Sequence, residues 1–224
     1  MKENPKFTAW SKKWKNARKE KDTKRILVLW SEPLPKKWER EVWEGDLGFR
    51  KNNEGRDKGE QLIERQLFGN ENGLIFSDGN SDKRFRLKCV YQNMPLVNQK
   101  KGQVIADAFG LLEIGKKRRP LFIEIKTTDQ NPWFALVENL QQVHLARACA
   151  RRIQKFVKQP IERGIWGLVL APEKYFSKKD TDMKRCKELL ERLKDSTTAR
   201  IALGISDSLK EGHIRIIASN WANC

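Results

Sequence analysis

Residues 121–128 read "LFIEIKTT". Leu121, Phe122, Ile123 and Ile125 mark a strand entering a core, yet Glu124 and Lys126 stand near its end. Side chains alternate across a strand, so Phe122, Glu124 and Lys126 share one face and Leu121, Ile123 and Ile125 share the other. A solvated ion pair on an open sheet face would explain this at little energetic consequence. The preceding segment supplies a stronger reason.

"GQVIADAFGLLEI" (102–114) and "RPLFIEI" (119–125) read as two strands joined by "GKKR". If they pair as a hairpin centred between Gly115 and Lys116, Asp107 and Glu124 each lie 8.5 positions from the centre. A regular antiparallel register then sets these two carboxylates opposite each other, with Cβ atoms about 4.5–5.5 Å apart. Two like charges at that separation repel unless a cation sits between them. A divalent ion answers the question, with Lys126 one step along the same face.

Composition narrows the ion. The 224 residues include only two histidines, His144 and His213, and four cysteines (Cys89, Cys149, Cys186, Cys224) without a C-x-x-C pair. Zinc ribbons and histidine-rich metal sites need more nitrogen or sulfur ligands than this. Oxygen ligands favour Mg²⁺, with Mn²⁺ as a substitute. Lys and Arg number 46 against 29 Asp and Glu, a formal net charge of +17. So strong a positive balance points to a polyanion, nucleic acid ahead of a membrane surface. No apolar run approaches the ~18–20 residues of a spanning helix, so no membrane partner is expected. The basic N-terminus lacks an apolar h-region, which together with the cysteine usage predicts a cytoplasmic or nucleoid-associated protein with reduced thiols.

Working outward, Phe7, Trp10, Trp14 and Ala17 fall on one helical stripe flanked by Lys12, Lys13, Lys15, Arg18 and Lys19. The stripe is expected to pack on the body with its lysines in solvent; the same cations are candidates for nucleic-acid contact. "RILVLWSEPLP" (25–35) reads as a short strand closed by prolines, and "KNNEGRDK" (51–58) as a polar loop. "GEQLIERQLF" (59–68) reads as a helix with Leu62, Ile63 and Leu67 inward. "GLIFSDGNSD" and "KRFRLKCVY" follow as strand, turn, strand. Residues 134–158 read as one long helix, "GIWGLVLAP" (164–172) as a buried strand and "DMKRCKELLERLKD" (182–195) as an amphipathic helix. "ARIALGIS" and "HIRIIAS" close the chain as strands. The order predicts an α/β body with a mixed sheet. Residues 1–57 form a basic, tryptophan-containing extension and 58–224 the core.

Asp107, a gap, then Glu124-Ile125-Lys126 at the end of an apolar strand resembles the PD-(D/E)XK nucleases, the restriction-endonuclease-like superfamily. Upstream, "KGEQLIERQL" is similar to that family's first core helix, whose glutamate often joins the metal site. Glu60 matches, with Glu64 one turn along as its substitute. Downstream, "NLQQVHLARACA" (139–150) resembles the helix whose glutamine reaches back toward the lysine, Gln141 or, one register later, Gln142. Ala106 stands where many members have proline.

The resemblance implies a mixed central β-sheet flanked by helices and a Mg²⁺-dependent deoxyribonuclease, an endonuclease, with DNA preferred over RNA. It implies Mg²⁺ held by Asp107, Glu124, the Ile125 carbonyl and Glu60, with Asp107, Glu124, Lys126 and Gln141 as catalytic residues. Such an ion acidifies water and binds a phosphate oxygen, while Lys126 orients the water or neutralises charge. Lys116, Lys117, Arg118 and Arg119 at the hairpin tip, about 27 Å away at strand rise, are further candidates for phosphate contact. Trp133 is expected to staple a helix start or to wall the cleft, and His144 to be structural. The alternative is a non-cleaving nucleic-acid-binding subunit of a larger DNA-processing complex. A homodimer fits either reading.

Overall fold

The computed structural model describes residues 5–34, 59–70, 72–78, 81–97, 104–128, 131–148, 150–157, 164–177, 180–194 and 199–221. The polar loop expected at 51–58, and with it the expected boundary between extension and core, lie outside them. The described helices are α1 (Pro5–Glu20), α2 (Thr23–Ser31), α3 (Glu60–Phe68), α4 (Pro132–Ala148), α5 (Ala150–Val157), α6 (Glu173–Ser177) and α7 (Asp180–Arg192). The strands are β1 (Leu74–Asp78), β2 (Ser81–Val97), β3 (Val104–Ile114), β4 (Lys117–Ile125), β5 (Ile165–Ala171), β6 (Ala199–Ile205) and β7 (His213–Ser219), with a 3₁₀ turn at Leu209–Glu211.

The seven strands close into a barrel in the order β1-β2-β3-β4-β5-β6-β7. This corrects the expected restriction-endonuclease-like α/β core with an open mixed sheet flanked by helices. β4, β5 and β6 run parallel to one another, and β1 is parallel to β7. The remaining neighbours are antiparallel. The β1–β7 pairing joins the first strand to the last, from Ile75 opposite His213 to Asp78 opposite Ile216. Closure removes the two free edges that an open sheet must protect. Strand alternation looks the same in open and closed sheets, which is why the ring cannot be read from it.

Every strand sends residues into one interior cluster. Leu74, Phe76, Phe85, Leu87, Ala108, Leu112, Leu121, Ile123, Ile125, Trp166, Leu168, Leu170, Ala202, Ile214 and Ile216 meet there, with Ile63 and Leu67 of α3. A second cluster covers the outer face of β3–β6. It joins Phe109, Leu111, Phe122, Val169 and Leu203 to α4, α7 and the tryptophans of α1 and α2.

One local reading changes. Residues 25–31 belong to helix α2, not a strand. The Asp22 carboxylate caps it by accepting from the Arg25 amide at 3.0 Å, and Lys21 turns the corner from α1 at φ 53°. The helix expected over 134–158 corresponds to α4 and α5, with residue 149 between them outside the described residues. α4 opens on Asn131, whose side chain accepts from the Trp133 amide at 2.9 Å, and Pro132 supplies the preset first turn. The stripe Phe7, Trp10, Trp14 and Ala17 is buried against the body, as expected.

Candidate active site

The hairpin arithmetic holds. Residue pairs run from Ile114 opposite Lys117 to Ala108 opposite Ile123, so Asp107 and Glu124 are the next positions in that register. There the ladder stops. A continued ladder would bond Ile125 to the backbone of Ala106. Instead the Asp107 carboxylate accepts the Ile125 amide at 2.6 Å. In a strand the carbonyl of a residue leaves on the same side as its amide, so the Ile125 carbonyl also faces the Asp107 side.

Glu124 lies on the outer face of β4, beneath α4, and is only 4% exposed. One of its oxygens contacts the Lys126 ammonium and the other accepts from the Gln142 side-chain amide. Gln142 is the neighbouring alternative to Gln141, and it is the glutamine that reaches the acid. Its position is fixed from two sides: it donates to the Ile105 carbonyl at 3.0 Å and accepts from Asn139 at 3.2 Å. Asn139 in turn donates to the Phe122 carbonyl at 3.1 Å. That reach needs a glycine below it, because a Cβ on Gly167 of β5 would sit 2.1 Å from the Asn139 side-chain oxygen. Gln141 lines the adjoining cleft, and its buried side-chain nitrogen has no hydrogen-bond partner among the described residues.

Lys126 is held from above as well. Its ammonium lies 3.4 Å from Glu138 Oε2, and Glu138 Oε1 pairs with Arg18 of α1. Trp133 donates its indole N–H to the Arg18 carbonyl at 2.9 Å, so it ties α1 to the start of α4 and does not wall the cleft. Lys21 adds an ion pair to buried Asp182 of α7 at 2.6 Å. The cleft, about 330 Å³, has Glu124, Lys126, Glu138, Gln141 and Gln142 on one side and Ser11, Trp14, Lys15 and Arg18 of α1 on the other.

The electrostatics follow from this burial. Desolvation pushes the Asp107 carboxyl up to about 6, with Glu60 and Glu64 of α3 adding to it, against the Ile125 amide and Lys126, which lower it. Desolvation, then the Asp107 charge, pushes Glu124 up to about 8, while Lys126 pulls it down. Desolvation works against the Lys126 ammonium, but Glu124, Glu138 and Asp107 outweigh it and raise its pKa. Two acids that resist ionising beside a lysine that stays charged form a site able to gain from a further cation.

Glu60 opens α3 beside this cluster. Gly59, at φ 69°, brings the helix start to the end of β4, with its would-be Cβ 3.5 Å from Thr127 Oγ1. The fit to a hard cation is partial. Among the described residues no three Asp, Glu, His or Cys side chains converge as ligands. Asp107, Glu124 and the Ile125 carbonyl lie at this same end of β3 and β4 and are oxygen donors of the type taken by a cation that keeps several waters.

No family model and no curated protein matches this chain.

Of the remaining candidates, Lys15 and Arg18 line the cleft and the others do not. Lys12, Lys13 and Lys15 are exposed on α1, with Lys13 3.7 Å from Glu32. Lys116 and Lys117 are exposed at the hairpin tip, Arg118 pairs with Glu113 at 3.1 Å, and Arg119 stacks over Trp166 at 5.4 Å. His144 is enclosed by Trp10, Trp14 and Trp30, with ring centroids 6.0, 5.8 and 5.2 Å away. Desolvation, then the Arg147 charge, lowers its pKa to about 4, as suits a neutral packing residue. His213 is exposed. Sequence reasoning missed Glu138 and Asn139. The available signal was the apolar density of residues 132–148 around all sides of the helix, which implies burial and makes a polar residue there a candidate for bonding.

Proposed function

We propose that this chain is a metal-dependent nuclease that hydrolyses phosphodiester bonds, with DNA as its preferred substrate and Mg²⁺ or Mn²⁺ as its cofactor. The observation that carries the reading is the break in the β3–β4 ladder. Asp107 takes the Ile125 amide there and follows in register opposite Glu124, which with Lys126 lines a cleft whose far wall is basic. These are the residues through which the chain resembles PD-(D/E)XK nucleases. When bound, the cation would supply an acidified water and a Lewis acid for a phosphate oxygen, with Asp107, Glu124 and the Ile125 carbonyl as its holders.

The chain's own groups do the rest. Lys126, charged and 12% exposed at its side chain, neutralises charge that develops on the phosphate. Gln142 orients Glu124, and Asn139 orients Gln142. Lys15 and Arg18 bind the strand's phosphates from α1, with Lys12 and Lys13 extending the track. The basic hairpin tip would touch nucleic acid far from the cut. Such a partner places the chain in the cytoplasm or on the nucleoid. Among the described residues no helix is long and apolar enough to cross a membrane.

One observation favours the second reading, a non-cleaving nucleic-acid-binding subunit of a larger DNA-processing complex: both Glu124 oxygens are already engaged, by Lys126 and Gln142. Incubation with supercoiled plasmid and with single-stranded DNA separates the two. The nuclease cuts with Mg²⁺ or Mn²⁺ and stops in EDTA, while Ca²⁺ supports binding without turnover. Binding without cutting under every cation would establish the subunit reading. Full cleavage in EDTA would end the metal mechanism.

A further inference from the structure

The Lys126 ammonium has two acidic partners, and the cation reading above can use only one of them at a time. In the structure it contacts Glu124, with Glu138 Oε2 3.4 Å off. For Glu124 to share a cation with Asp107, its oxygen must leave Lys126. An ammonium with only 12% of its side chain exposed is costly to leave unpaired. Glu138 is placed to receive it. Arg18 holds its other oxygen, so the carboxylate stays poised over the lysine. Glu124, Lys126 and Glu138 all line the cleft, so the ammonium stays beside it whichever acid it pairs with.

We propose that Glu138 is a positioning residue that takes over the Lys126 ammonium when a divalent cation draws Glu124 toward Asp107. The inference rests on the proposed cation site and adds a residue that is not itself a ligand. The same exchange frees the acid for the ion and keeps the lysine paired beside the cleft, where a phosphate would lie. α1 takes part through Arg18, so the N-terminal helix supports the site as well as walling it.

The test is Mn²⁺ affinity of the full chain, followed by electron paramagnetic resonance, with thermal melting to confirm folding. Wild type binds Mn²⁺. Glu138→Gln binds it about 10–100-fold more weakly, the range for residues that orient ligands. Glu191→Gln, an exposed carboxylate that pairs with Lys194 on the surface, leaves the affinity unchanged. In a Lys126→Met background the Glu138→Gln loss disappears, because there is no ammonium to receive. Should Glu138→Gln fail to fold, Arg18→Gln cuts the tether and shows a smaller loss in the same direction. Glu138→Gln binding Mn²⁺ like wild type, or losing as much without Lys126 as with it, overturns the exchange and leaves the cation site standing. A wild-type chain that binds no Mn²⁺ overturns both.

Discussion

The barrel interior and the layer between the barrel and α4 are made from opposite faces of the same strands, and they are filled by different rules. Inside, Phe76, Phe85, Trp166 and Trp221 pack ring on ring, with Trp166 and Trp221 centroids 4.9 Å apart. Arg119 covers the Trp166 ring from its edge of the cluster, 5.4 Å from the centroid. Outside, within a cluster just as deeply buried, Glu124, Asn139, Gln142 and His144 are enclosed among apolar side chains. Burying a polar group costs free energy unless it is bonded, and burying a charge costs more. Polar groups in that outer layer bring a burial cost that apolar side chains would avoid, so the layer is better explained by chemistry than by stability.

That contrast predicts different responses to substitution and pH. The largest effect on stability belongs to the interior. Trp166→Ala should cost about 3–5 kcal/mol. The loss should be equal at pH 5 and pH 8, as followed by denaturant unfolding, because nothing around that ring titrates.

The outer layer should respond to pH with two opposite signs. His144 has a lowered pKa, so between about pH 4 and 6.5 the unfolded chain binds more protons than the folded one. The stability it brings is present above pH 6.5 and lost as the pH falls through about 4. Compared with His144→Phe, wild type should lose on the order of 1–2 kcal/mol between pH 7 and pH 5. Asp107 and Glu124 run the other way. Their raised pKa values leave their stability fully present below about pH 4, and it is lost as the pH rises through about 6 and then about 8. Asp107→Asn should therefore stabilise the metal-free protein, by about 1 kcal/mol at pH 8 and less at pH 5, while cleavage stops. A destabilised Asp107→Asn protein would mean that the aspartate is there for the fold.

Much of the site was legible because it is local. The Asp107–Glu124 pairing needs only a hairpin of eighteen positions, and two glycine-and-lysine turn residues fix its centre. What escaped was non-local or ambiguous. The β1–β7 closure pairs Ile75 with His213, and no period in either strand announces a partner so distant. Ile26–Trp30 is an apolar run that suits a strand or a helix equally; the Asp22 cap three residues before Arg25 was the deciding signal. The choice between Gln141 and Gln142 turns on one step of helix register. Asn139, three residues before Gln142 and bonded to it, settles that choice in space.

The most direct test is Lys126→Ala, with DNA cleavage and DNA binding measured on the same folded protein beside wild type. A catalytic Lys126 requires a fall in initial rate of about 10²-fold or more with Mg²⁺ present, from the loss of one preorganised charge at the phosphate. Binding should change little, because one lysine among 46 basic residues adds little to a broad phosphate footprint. A folded Lys126→Ala protein that cuts at the wild-type rate would contradict that role.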